Sequence, residues 1–142
     1  VSAEQVQSVT GTPSAAPTIA DHGSTTTCTY QGPDPAQSTL IEYEAGASPA
    51  TYTDAQQAFE LKYAQTIPVS GLGDQAYVGK VQSGGHTSYS VVTLVGSTQI
   101  AVVSGAPLSK VESLAELVLG QLYRHSSRGS ATTTTAGPAP AA

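Results

Sequence analysis

Few residues in this 142-residue chain have the types and spacing that chemistry requires, and two carboxylates come closest. Glu42 and Glu44 alternate with Ile41 and Tyr43 in a β-patterned run, which puts both acids on one strand face, roughly 7 Å apart. At that separation two carboxylates could act on a glycosidic bond. No aromatic platform or third polar group accompanies them, so a solvent-facing strand edge is the simpler account. Ser48, in Gly46-Ala47-Ser48-Pro49-Ala50, falls short of a nucleophile elbow. The residue after the nucleophile must offer its N–H to the oxyanion, and Pro49 has none. His22, His86 and His125 lack the close spacing of metal ligands, and no cysteine cluster joins them. Gly71-Leu72-Gly73 has neither a preceding strand nor a following helix, so it reads as a tight turn with Asp74 capping the backbone rather than a nucleotide loop. No catalytic, cofactor-binding or metal-ligating set is assigned, and an enzyme is not expected.

Tyrosine dominates the aromatics, seven against one Phe and no Trp. Tyr30, Tyr43, Tyr52 and Tyr77 stand where a ring can be buried while its hydroxyl stays wet, which makes them the candidate surface for a protein partner or a small apolar ligand. Cys28 is the single cysteine. It is either a small buried hydrophobe on a strand or half of a disulfide whose partner lies upstream of Val1 or on another chain.

The elements that must position these residues are organised around Thr87–Ala106, a β-hairpin turned at Gly96-Ser97 with the glycine-first signature of a type II′ turn. Its pairing puts Val91, Thr93, Val95, Ile100 and Val102 on one face, with Val92, Leu94, Ala101 and Val103 on the other. Both faces are apolar, which places the hairpin inside a sheet covered on both sides. Before it come a short helix over Val1–Gly11, with Ser2 and Gln5 as a capping box, an irregular connection through Gly23, and strands over Ser24–Gln31 and Thr39–Glu44. A helix follows from a Thr53–Gln56 box to about Gln65, with Ala55, Ala58, Phe59 and Tyr63 as its apolar stripe, then a Gly-rich loop and a strand over Gln75–Gln82. After the hairpin, a Ser109–Glu112 box opens a final helix, on which Val111, Leu114, Ala115, Val118 and Leu122 make one continuous apolar face. The order α-β-β-α-β-β-β-α predicts an α+β domain over residues 1–125: an antiparallel sheet of about five strands with three helices packed on it. Residues 126–142 form a Thr/Ala/Pro-rich low-complexity tail.

Composition narrows the partners. Only 11 % of residues are charged and the net charge is −5, with Lys62, Lys80, Lys110, Arg124 and Arg128 dispersed, so nucleic acid is not an expected partner. No run approaches the roughly 18 apolar residues of a membrane-spanning helix. The chain has no Met and begins at Val1, which favours removal of a secretory leader from a longer precursor. It also has no Asn, hence no glycosylation sequon.

The opening helix ending in Gly11, the strand Thr27-Cys28-Thr29-Tyr30, the loop Gly71-Leu72-Gly73-Asp74-Gln75-Ala76-Tyr77, the hairpin and the amphipathic last helix together resemble a family of actinobacterial exported lipoproteins and cell-envelope domains of unknown function. The resemblance covers residues 1 to 123. It implies a location outside the membrane, a binding or accessory role and no catalytic residues. It also implies a second cysteine just before the first helix, paired with the residue matching Cys28; this chain, beginning at Val1, does not contain one. The expected function is that of an exported, non-catalytic cell-envelope domain that binds a protein partner or a small apolar ligand without a cofactor. The alternative is a self-associating structural subunit of an extracellular assembly, with its tail ordered by a neighbouring copy.

Overall fold

A computed structural model describes residues 1–34, 37–63, 65–83 and 85–134. Its elements are α1 (Ala3–Thr10), β1 (Thr18–His22), β2 (Thr25–Tyr30), β3 (Thr39–Ala45), α2 (Pro49–Lys62), β4 (Ile67–Pro68), β5 (Gln75–Ser83), β6 (His86–Val95), β7 (Thr98–Ser104) and α3 (Leu108–Thr134). The α+β class, the antiparallel pairing and the three helices agree with the sequence reading. The sheet, however, has seven strands among the described residues rather than about five, in the order β1-β2-β3-β7-β6-β5-β4. The additional two are its edges. β1 lies in the segment read as an irregular connection and pairs with β2 from Thr18↔Thr29 to His22↔Thr25. Only Ile19 and Ala20 are apolar in it, and most of the strand is exposed, so no hydrophobic alternation marks it. β4 is two residues long and includes Pro68, which the edge of a sheet tolerates because the missing N–H is not needed there.

The hairpin closes as its residues dictate. Val95 pairs with Thr98, leaving the two-residue turn Gly96-Ser97. Gly96 has φ 59° and Ser97 does not have a positive φ, as a type II′ turn requires. β6 and β7 occupy the interior of the sheet, and each of their faces builds a core. Val91, Ile100 and Val102 pack with Val6 of α1 and with Val111, Leu114, Ala115, Val118 and Leu119 of α3. Val92 and Leu94 pack on the opposite face with Tyr52 and Tyr77.

Helix ends follow from local hydrogen bonding. In α1, the Ser2 hydroxyl accepts the Gln5 N–H at 3.1 Å, the Gln5 side chain accepts the Ser2 N–H at 2.8 Å, and Gly11 terminates the helix at φ 76°. α2 starts earlier than the Thr53–Gln56 box. Ser48 is its N-cap, accepting the Thr51 N–H at 3.2 Å while the Thr51 hydroxyl accepts the Ser48 N–H at 2.8 Å, and Pro49 takes the first helical position that suits it. The shift makes Tyr52 the buried anchor of α2 and leaves Ala58 and Tyr63 exposed. α3 also starts ahead of its expected box, because the Pro107 carbonyl accepts the N–H groups of Lys110 and Val111 at 2.9 and 3.1 Å. It continues to Thr134, beyond Tyr123, where its apolar pattern stops. The end of the tail, 135–142, lies outside the described residues.

Candidate functional site

Cross-strand register assigns each candidate residue to a face of the sheet. Tyr30 and Tyr43 lie on the face covered by α1 and α3, in line with Thr39 and Ile100 respectively. Tyr30 is buried and donates its hydroxyl proton to the Val1 carbonyl, which ties the start of the chain to β2. Tyr43 is half-buried, and burial, with smaller contributions from Cys28 and Tyr30, pushes its phenol up to about 12. Tyr52 and Tyr77 belong to the opposite face, where their rings meet edge to face at 5.5 Å between centroids. Burial raises both, Tyr77 to about 12. The four tyrosines expected to share a surface are therefore split two and two across the sheet, and three of the four are core residues at 2 to 3 % exposure. A ring on a strand buries wherever a helix lies over it, and helices cover both faces.

Cys28 is a free, half-buried thiol on the α1/α3 face, between Ile19 of β1 and Ile41 of β3. Glu42 and Glu44 stand on interior strand β3, not on an edge. They lie on the face opposite α1 and α3, beside Thr27 and Ala101 and beside Thr25 and Gln99. Ser48 is committed to capping α2. His22 ends β1 and His86 begins β6, at separate places in the sheet, and the side chain of His125 lies outside those described. Among the described residues, no group of three or more His, Cys, Asp or Glu is placed to hold a metal ion.

The Gly71-Leu72-Gly73-Asp74 loop is a structural tie. Thr93 donates its hydroxyl proton to the Leu72 carbonyl at 3.0 Å, and an Asp74 carboxylate oxygen accepts the Gly96 N–H at 2.7 Å. Gly73, at φ 62°, lies so close to Thr93 and the Leu94 carbonyl that a side chain there would collide with them. This loop borders two shallow cavities of about 400 and 320 Å³ along α3, reaching Glu112 and Glu116.

A further cavity, which the sequence did not point to, lies where the end of α2 meets the outer edge of β5. It has a volume of about 290 Å³ and is lined by Lys62, Tyr63, Lys80 and Gln82. The Lys62 ammonium sits 5.2 Å from the centroid of the Tyr63 ring, and that ring packs on Phe59 at 4.9 Å between centroids. Glu60 is engaged by Thr66, whose N–H and hydroxyl donate to its carboxylate at 3.0 and 2.6 Å and hold its pKa below the ordinary value. Leu61, Tyr63 and Ile67, at the end of α2 and the start of β4, are exposed apolar side chains. No described helix is long and apolar enough to cross a membrane. No protein-family model, curated protein or solved structure matches the chain.

Proposed function

We propose that the chain is an exported, non-catalytic domain of the cell envelope that binds a protein partner at the corner where α2 ends and β4 begins. The observation that carries this reading is the exposure of Leu61, Ile67 and Tyr63, at 91 %, 64 % and 46 %, between residues 61 and 67. Single exposed apolar side chains are ordinary, whereas three within seven residues of chain, at the end of α2 and the start of β4, offer apolar area to a partner. The cavities at this corner and along α3 are open notches rather than enclosed chambers, which favours a protein surface over a small apolar molecule. The weakly charged, hydroxyl-rich composition and the resemblance to exported envelope domains support the location.

Saturable retention of the purified domain on envelope fractions of its source cell tests the proposal. Leu61→Ser combined with Ile67→Ser should leave the fold intact, since both side chains are exposed, and should weaken retention by about tenfold or more. Unchanged retention would overturn the assigned surface, and no saturable retention of the native domain would overturn the binding role.

A second reading, a self-associating structural subunit, is favoured by β1. Among the described residues no strand pairs with its outer edge, and Ile19 on it is 62 % exposed. Light scattering over a concentration series, with and without residues 129–142, separates the two. A monomer mass throughout removes the subunit reading, and an oligomer that disappears with the tail puts it first.

A further inference from the structure

The outer edge of β5 is only partly covered. β4 pairs with it at Tyr77 and Val78, and one further bond runs from the Val69 N–H to the Ala76 carbonyl at 3.0 Å. In an antiparallel strand, successive residues direct their backbone polar groups to opposite sides. The outward carbonyl of Ala76 therefore fixes the alternation along β5. Val78 turns toward β4, and Gly79 and Val81 turn toward β6. Lys80 and Gln82 direct N–H and C=O past the end of β4, where no strand pairs with the edge among the described residues.

That bare edge forms one wall of the 290 Å³ notch, and Lys62 and Tyr63 at the end of α2 form the other. The chain carries a net charge of −5, yet two of its five basic residues line this one notch. Among the described residues neither lysine has an ion-pair partner, and Glu60, beside them at the end of α2, is already engaged by Thr66. Outward backbone groups of β5 and two ammonium groups without an ion-pair partner among the described residues thus border one notch, Lys80 from the face of α1 and α3 and Lys62, with Tyr63, from the face of α2.

We propose that this edge receives an extended acidic segment of a protein partner as an added strand on β5. The segment's backbone pairs with Lys80 and Gln82 in line with β4. Its carboxylates, at alternate positions, meet Lys80 on the face of α1 and α3, and a side chain on the other face rests against Lys62 and Tyr63 at the end of α2. A second copy of this chain fits less well, because pairing two β5 edges brings both lysine pairs together. The inference rests on the partner-binding reading and adds the partner's chemistry and its manner of docking.

A lysine on an edge strand can instead simply deter pairing, and charge reversal distinguishes the two roles. The probes are two fluorescein-labelled peptides, Thr-Glu-Val-Glu-Val-Glu-Thr and Thr-Lys-Val-Lys-Val-Lys-Thr, titrated by anisotropy at low salt against the native domain and against Lys62→Glu/Lys80→Glu. Both lysines are exposed, so the variant should fold. The native domain should bind the acidic peptide about tenfold or more tightly than the basic one, and the variant should reverse that preference. On binding, the Lys80 and Gln82 amides should become protected from hydrogen exchange. Equal affinity for the two peptides, binding without protection of those amides, or no binding of either would overturn the proposal. Envelope retention lost in Leu61→Ser/Ile67→Ser but untouched by Lys62→Glu/Lys80→Glu would overturn strand addition alone and leave the partner-binding reading standing.

Discussion

Phe59 of α2 packs directly on Gly79 of β5, so closely that a Cβ at residue 79 would overlap ring atoms Cε1 and Cζ. The absence of a side chain at 79 is what lets α2 approach the sheet and the Phe59 ring reach Tyr63 and Tyr77. Gly79→Ala should push the ring out and destabilise the fold by about 1 to 3 kcal/mol. In a urea-unfolding double-mutant cycle, Gly79→Ala with Phe59→Leu should cost less than the sum of the single changes. Strict additivity would mean that the two residues do not share this contact.

The stripe of α3 gives a sharper test of the opposite face. Leu114 and Val118 are fully buried against β6 and β7, whereas Leu117 is only partly buried. Leu114→Ala should cost about 2 to 4 kcal/mol and Val118→Ala about 1 to 3, with Leu117→Ala below about 1. Thermal or urea unfolding measures all three, and equal losses at 117 and 118 would contradict the assigned face.

Alkaline pH should loosen the molecule through two phenols. Burial raises Tyr43 and Tyr77 from 10.0 to about 12. The folded state therefore holds these protons more tightly than the unfolded chain does, and the associated stability is complete below pH 10 and lost as pH rises toward 12. The urea midpoint should fall across that window, and Tyr43→Phe or Tyr77→Phe should make the fall shallower. A pH profile identical in the wild-type chain and both variants would show that neither phenol contributes.

Regular patterns were legible in the sequence where burial imposes them. The two faces of the hairpin, the stripe of α3 and the Ser2–Gln5 cap of α1 each depend on residues close together in the chain. β1 and β4 were not legible, because an exposed edge strand needs no apolar alternation; its backbone pairing is supplied by a neighbour. α2 starts ahead of Thr53 because Ser48 and Thr51 cap each other, while Thr53, inside the helix, donates its hydroxyl proton to the Pro49 carbonyl. The four tyrosines lie on two faces, three of them buried, for a related reason: residue type gives a ring and a hydroxyl, but the placement of helices decides whether water reaches them. The notch at Lys62 and Lys80 joins residues far apart in sequence, and neither neighbourhood carries a motif.

The sheet consists of two meanders, β1-β2-β3 and β4-β5-β6-β7, joined only along the β3–β7 pairing. Within each meander every strand pairs with its neighbour in sequence, so loop closure is short. The β3–β7 join must instead wait until the whole α2–β6 stretch has been laid down. β7 is the last strand among the described residues and leaves the ribosome after the other six. Until then the β3 edge, from Thr39 to Ala45, has no partner, and this seam is where a newly made chain is most open to capture by a chaperone or by another chain.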